Sequence, residues 1–176
     1  DALHVCYCHS PMRYVWDMYR LYLDGAGPLT RLFMRPLMHY MRIADSVSAA
    51  RVDHFIANSA FIARRIEKCY RREATVVHPP VQVSDFQCTP VKEDYYLLLG
   101  QLTPYKKADV VVEAFLSSGR KLVVIGEGEQ LDALRARATD RVQVLGRQPF
   151  AVLREHLANA KALVFPGVED FGIVPF

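Results

Sequence analysis

Residues 95–130, YYLLLGQLTPYKKADVVVEAFLSSGRKLVVIGEGEQ, decide the fold. Two runs of aliphatic and aromatic residues, 95–99 and 122–125, each end on a glycine, Gly100 and Gly126, and a helix-period segment over residues 108–116 lies between them. A strand without polar alternation is buried on both faces, and two such strands joined through a helix pair in parallel. The pattern continues with a helix over residues 129–138, a strand over 142–145, a helix over 149–158 and a strand over 162–165. The architecture predicted is α/β, a doubly wound parallel sheet with helices on both faces.

Upstream, residues 3–8 read as a short buried strand that runs into His9-Ser10-Pro11. Leu32, Phe33, Leu37, Met38, Met41, Ala44 and Val47 recur at helical spacing and predict a long amphipathic helix over residues 29–50, bent at Pro36. A strand follows over 52–57, then Asn58-Ser59 as N-cap for a helix over 60–70, and a strand over 75–78 stopped by Pro79-Pro80. Residues 81–94 are polar, proline-bounded and aperiodic, as in a linker. The expected organisation is two Rossmann-like domains, both incomplete: residues 1–80 and 95–176, joined by 81–94. A sequence that opens in mid-strand is expected to belong to a longer protein.

Composition bounds the function. With 51% hydrophobic and 23% charged residues in a chain of 176, there is apolar material for a sizeable core. Residues 1–80 carry 11 Lys and Arg against 7 Asp and Glu; residues 81–176 carry 11 against 12. The basic first half suits an anionic membrane surface or a phosphorylated acceptor, and equally a solvated Arg-rich helix face. Its charge is neither large nor interleaved with exposed aromatics, which disfavours nucleic acid. No apolar run approaches the roughly 18–20 residues of a membrane span. Cys6, Cys8, Cys69 and Cys88 are too sparse for a disulfide scaffold, so a reducing, cytoplasmic compartment is expected.

Parallel sheets bind ligands at the loops leaving the carboxyl ends of their strands. That rule selects residues 9–13, 100–107, 126–129, 146–147 and 166–172. Gly100-Gln101-Leu102-Thr103-Pro104-Tyr105-Lys106-Lys107 combines a glycine, a following helix N-terminus and two cations, the ingredients of a diphosphate site. A surface turn with two solvated lysines has the same composition. Gly126-Glu127-Gly128 is part of a dinucleotide fingerprint, but Leu131 stands at the third glycine position, and a tight strand-to-helix turn reads identically. Glu169 and Asp170 precede Gly172 at another strand end, where carboxylates can accept hydrogen bonds from sugar hydroxyls, act as general acid and base, or cap a helix. His4, Cys6, Cys8 and His9 lack a second ligand pair at zinc spacing, so no metal is expected. His9, beside Ser10 and Arg13, either faces a ligand or is structural.

Together these segments resemble the family 4 retaining glycosyltransferases (GT-B fold, glycosyl transferase group 1), nearest to the mannosyltransferase-like members of O-antigen and exopolysaccharide pathways. The resemblance is carried by Cys6-Tyr7-Cys8-His9-Ser10-Pro11-Met12-Arg13-Tyr14-Val15-Trp16-Asp17, Ala50-Arg51-Val52-Asp53-His54-Phe55-Ile56-Ala57-Asn58-Ser59 and Val77-His78-Pro79-Pro80-Val81. Residues 100–107, Val124-Ile125-Gly126-Glu127-Gly128 and Glu169-Asp170-Phe171-Gly172-Ile173-Val174-Pro175 complete it, nearly end to end and in the family's order.

The resemblance implies two facing Rossmann-like domains, with residues 1–80 ending the acceptor-side domain and residues 95–176 beginning the donor domain. It implies transfer of a hexose with retention, from GDP-mannose first and a UDP-sugar second, to a glycan or lipid-linked acceptor. No cofactor or metal is implied, and the enzyme would work in the cytoplasm or on the inner face of the membrane. Lys106 matches the lysine that clamps the donor diphosphate, with Gly100 and Lys107 beside it; Gln101 stands where the family has arginine and supplies no charge. Glu169 matches the first glutamate of the E-x7-E motif that contacts the sugar; the second falls one position beyond Phe176. Asp170, Phe171, Gly172 and Ile173 would lie against sugar and phosphate, and Gly126, Glu127 and Gly128 would join the donor site. Val144, Leu145, Gly146 and Arg147 match the segment lining the base pocket. His9 matches the acceptor-side cleft histidine, with Arg13 near it, and the chain by itself is expected to be inactive. A GT-B epimerase or phosphorylase would share the fold, and Gln101 leaves open a degenerate nucleotide-sugar-binding module.

Overall fold

The computed structural model describes residues 2–86, 89–172 and 174, so Cys88 and Ile173 lie outside the described residues. The chain forms two compact units, Asp1–Pro80 and Val81–Phe176.

In the first unit, β1 (Val5–Cys8), β2 (His54–Ala57) and β3 (Ala74–Val76) form a parallel sheet in the order β1-β2-β3. Helices α1 (Tyr19–Asp24) and α2 (Pro28–Ala50) connect β1 to β2, and α3 (Ala60–Tyr70) connects β2 to β3. As its sequence predicts, α3 starts at Ser59, whose extended backbone lets Oγ accept from Ile62 N at 3.1 Å. Ile62 and Ile66 then pack fully buried on Phe55, Ala57 and Cys8. Each such isoleucine contributes about 1.5–3 kcal/mol by leaving water. The strand expected over residues 3–8 is covered on one face only. Alternation turns Cys6 and Cys8 toward the core and leaves Val5 and Tyr7 exposed.

α2 spans nearly the range expected, with Pro36 inside it, but buries a different stripe. Of the stripe read from sequence, Met38 is buried and Met41 half-buried, whereas Leu32, Phe33, Leu37 and Val47 are exposed. The helix carries two apolar rows. Met34, Met38, Met41 and Ala49 share the inward side with Asp45; Leu29, Leu32, Phe33, Tyr40, Ile43 and Val47 occupy the outward side.

Asp45 is the polar anchor of this unit. Its Oδ2 accepts from Trp16 Nε1 and from Tyr70 hydroxyl, both at 2.8 Å, joining the segment after β1 to α2 and α3. Burial, reinforced by the hydrogen bond to Asp45, pushes the Tyr70 hydroxyl well above the usual phenol range, so it stays a donor. Arg42 donates to the Val15 carbonyl, and Arg65 pairs with Asp17.

The second unit contains β4 (Tyr96–Leu99), α4 (Ala108–Ser118), β5 (Leu122–Ile125), α5 (Leu131–Arg135), β6 (Val142–Gly146), α6 (Phe150–Asn159) and β7 (Ala162–Leu163). Its strands are parallel in the order β6-β5-β4-β7. Both faces are covered, as continuous aliphatic strands require. Leu98, Leu122 and Val124 pack with Val111, Val112 and Leu134 of α4 and α5, while Leu97, Val123 and Ile125 pack with Leu153 and Leu157 of α6. α5 is shorter than the pattern suggests, because residues 137 and 138 close it with tighter bonds to the carbonyls of Leu134 and Arg135. Residues 89–94 are held at the end of α6 by Thr89 and Lys92, which donate to the Ala158 carbonyl, and by Glu93 N, which donates to the Asn159 carbonyl.

Gly126 and Gly128 serve chain packing. Leu102 N donates to Glu127 O at 2.8 Å and Gln130 N to Leu102 O at 3.1 Å, locking the turn after β5 onto the loop after β4. A Cβ on Gly126 would overlap the Gly100 carbonyl oxygen, and one on Gly128 would lie 2.5 Å from Leu102 O.

Two stability measurements follow from these contacts. Asp45→Ala, which strips two hydrogen bonds and orphans Tyr70, should lower the unfolding free energy by about 2–3 kcal/mol in urea denaturation. Gly126→Ala should also lower the melting temperature measurably, even in ligand-free protein, because the overlap is with backbone.

Candidate functional site

The order β6-β5-β4-β7 means that the chain leaves β4 toward β5 on one side and later returns to β7 on the other. The crevice at the carboxyl ends of β4 and β7, where the early and late parts of the sheet adjoin, is where open parallel sheets bind ligands. It is lined by Gly100, Gln101 and Lys106 after β4 and by Phe165, Pro166 and Gly167 after β7. The two loops touch: a Cβ on Gly167 would lie 3.6 Å from Lys106 Cα.

Local geometry aims the cation. Thr103 is extended and Pro104 opens a 3-10 turn, Pro104–Lys106, closed by Lys106 N donating to Thr103 O at 3.0 Å. Lys107 then takes the left-handed conformation (φ 56°) and starts α4 without a capping hydrogen bond from its own side chain. Lys107 itself points to solvent, while Lys106 is partly buried and ion-paired with Glu169. Glu169, Asp170, Phe171 and Gly172 are all partly buried, and Ile173 lies outside the described residues. The crevice thus brings together Gly100, Gln101, Lys106 and Glu169, residues from two segments far apart in sequence.

The other second-unit candidates sit at neighbouring strand ends. Val144 packs against the α4 side of the core and Leu145 against the α6 side, so both are structural in part. Gly146 has φ 74°, and its carbonyl accepts from Gly126 N at 3.0 Å. Arg147 and Glu127 are exposed and form an ion pair at 3.4 Å. Thr103, inside the 100–107 segment, was given no role of its own and Gln130 was overlooked; among the described residues their Oγ1 and Oε1 are buried without a hydrogen-bond partner. Polar atoms left so are unusual enough to note beside a ligand crevice. Pro166 and Gly167 lie in the 166–172 segment that the strand-end rule selects, and Phe165 directly precedes it.

In the first unit, His9 lies at the carboxyl end of β1, exposed, its ring edge-on to Tyr7 at 5.3 Å. Asn58 Nδ2 donates to His9 O at 3.3 Å, and His78 Nδ1 lies 2.9 Å from Asn58 O. Loops after all three strands are thereby joined, through Asn58 and His78 as well as the His9 that sequence singled out. Arg13 lies in the next turn, its carbonyl accepting from Asp17 N and Met18 N. Among the described residues no three His, Cys, Asp or Glu side chains converge as a metal site would need. No helix among them is long and apolar enough to cross a membrane.

Comparison with known proteins bears on the family and the fold. Residues 84–176, more than half of the chain, match the family model described as glycosyl transferases group 1. The chain is 26% identical over 148 residues to the O-antigen chain mannosyltransferase RfbU of Salmonella typhimurium, a match covering 77% of this chain and 42% of that protein. Among solved structures it resembles Anabaena Alr3699/HepE, crystallised with UDP and glucose (TM-score 0.61, 12% identity, 92% of this chain and 45% of that one). It also resembles the lipopolysaccharide outer core galactosyltransferase WaaB in its apo form (TM-score 0.50, 22% identity, 65% and 36%). These likenesses establish the fold as part of a GT-B fold, and the chain spans less than half the length of the relatives it matches. The family match rests on the unit that carries the β4–β7 crevice, and the chain belongs to the glycosyl transferases group 1 family.

Proposed function

We propose that the protein is part of a retaining hexosyltransferase that moves a sugar, mannose first among candidates, from a nucleoside diphosphate to a glycan or lipid-linked acceptor. The observation that carries this reading is the pairing of a cation and a carboxylate, Lys106 and Glu169, across the β4–β7 crevice beside the start of α4. Lys106 and the first-turn N–H groups of α4 suit a diphosphate, and Glu169 suits sugar hydroxyls. In the reaction the bond from the anomeric carbon to the diphosphate oxygen breaks and a bond to the acceptor oxygen forms on the same face. The acceptor's proton passes to the departing diphosphate. The protein's part is to orient both substrates and to stabilise charge growing on the leaving group. Gln101 donates a hydrogen bond without charge, so Lys106 carries most of that stabilisation. Val144, Leu145, Gly146 and Arg147 would flank the base, and the first unit, through His9 and Arg13, would serve the acceptor.

RfbU's being a mannosyltransferase supports GDP-mannose as the donor; HepE's binding of UDP and glucose keeps a UDP-sugar as the second choice. A lipid-linked acceptor would bring the enzyme to an anionic membrane. The outward row of α2, from Leu29 to Val47 with Leu32, Phe33, Tyr40 and Ile43, lies on the more basic unit and suits that surface.

The full-length enzyme should transfer sugar from GDP-mannose, and Lys106→Ala should cut turnover by roughly 100-fold or more with the fold intact. Wild-type turnover in that variant would sink the role of Lys106; binding of donor without transfer to any acceptor would point to a binding module instead. Full-length protein should float with phosphatidylglycerol vesicles, and the pair Leu32→Asp and Phe33→Asp should leave it in the soluble fraction. Unchanged flotation would exclude α2 as the contact.

A further inference from the structure

The crevice is already neutralised from within. Lys106 and Glu169 are each about three-quarters buried, their side chains 22% and 23% exposed, and they are ion-paired with each other. Glu169 Oε1 is shielded from solvent and, among the described residues, has no hydrogen-bond donor beyond this pairing. The pair spans the two loops that form the crevice, Lys106 following β4 and Glu169 following β7. An incoming phosphate therefore meets an occupied cation.

We infer that Glu169 is the resident counter-ion of Lys106, displaced by any phosphate that enters, and that the crevice consequently prefers a phosphate bringing hydroxyls for Glu169 over one that brings none. The first half stands on the ion pair alone; the second rests on the glycosyltransferase reading above. A phosphate that takes Lys106 leaves the Glu169 carboxylate partly desolvated, without its cation and facing a second anion, and both effects oppose binding. A phosphate carrying a sugar offers hydroxyl donors to that carboxylate, so both charges keep partners. A phosphate without a sugar offers none. Glu169 would then act as a specificity-determining residue that favours the nucleotide sugar and hastens loss of the spent nucleoside diphosphate.

The test is calorimetry on the full-length protein, wild type against Glu169→Gln, with inorganic pyrophosphate as probe. Glu169→Gln keeps the side chain's shape and removes its charge. It should bind pyrophosphate roughly three- to tenfold more tightly, with the gain shrinking as salt is raised. In a Lys106→Ala background the same substitution should give a much smaller gain. Glu169→Asp, which keeps the charge but shortens its reach, should fall between wild type and Glu169→Gln and guards against a folding artefact. Equal or weaker pyrophosphate binding by Glu169→Gln, or none by either protein, overturns the counter-ion role. The second arm compares GDP-mannose with GDP, and UDP-glucose with UDP. Glu169→Gln should narrow the preference for the sugar-bearing form. Tighter pyrophosphate binding with an unchanged preference would keep the counter-ion and overturn selection through hydroxyls.

Discussion

Pairing β4 with β5 on one side and β7 on the other is the constraint on which the site depends. β4 thereby carries an early strand on one edge and a late strand on the other, and Lys106 and Glu169 meet where the loops after β4 and β7 adjoin. Had β7 been added beyond β6, the same residues would sit at opposite ends of the sheet. Sheet order therefore turns two ordinary polar side chains into a facing pair, while the continuous aliphatic runs of β4 and β5 require helices on both faces of the sheet that carries them.

The glycines of the second unit act at one remove. Gly126 and Gly128 allow the turn after β5 to lie directly on the loop after β4, with two backbone hydrogen bonds between them. That contact fixes the loop from which Lys106 projects. Pro104 and the left-handed Lys107 then set the direction of the turn and open the N-terminus of α4. The loop is shaped largely by backbone demands, and the charged side chain it brings to the crevice is Lys106, beside the neutral Gln101.

Much of this was legible in the sequence for a physical reason. Leu122–Ile125 is apolar at every position, and Ala108–Ser118 repeats with helical period up to Gly119, so both elements and their parallel pairing follow from pattern. The strand-end rule located Gly100, Lys106 and Glu169 before any contact was known. Local pattern could not tell that Glu169 faces Lys106, because that depends on where β7 is added. It also could not assign Gly126 and Gly128 to loop packing, since a ligand and a neighbouring carbonyl make the same demand for a missing Cβ. In α2 the period gives the helix but not which of two apolar rows turns inward; methionines took the core and Leu32 and Phe33 the outside. Six-residue α1 is too short to show a period, and Asn58 and His78 gain interest only once three strand ends converge.

The most direct test of the central claim is a crystal structure of the full-length protein with a nucleoside diphosphate sugar bound. The account predicts a diphosphate oxygen within hydrogen-bond reach of Lys106 Nζ and of the first turn of α4, with the sugar hydroxyls on Glu169 and the Lys106–Glu169 ion pair opened. A diphosphate bound elsewhere, for instance at the Glu127–Arg147 pair, with Lys106 still paired to Glu169, would contradict it.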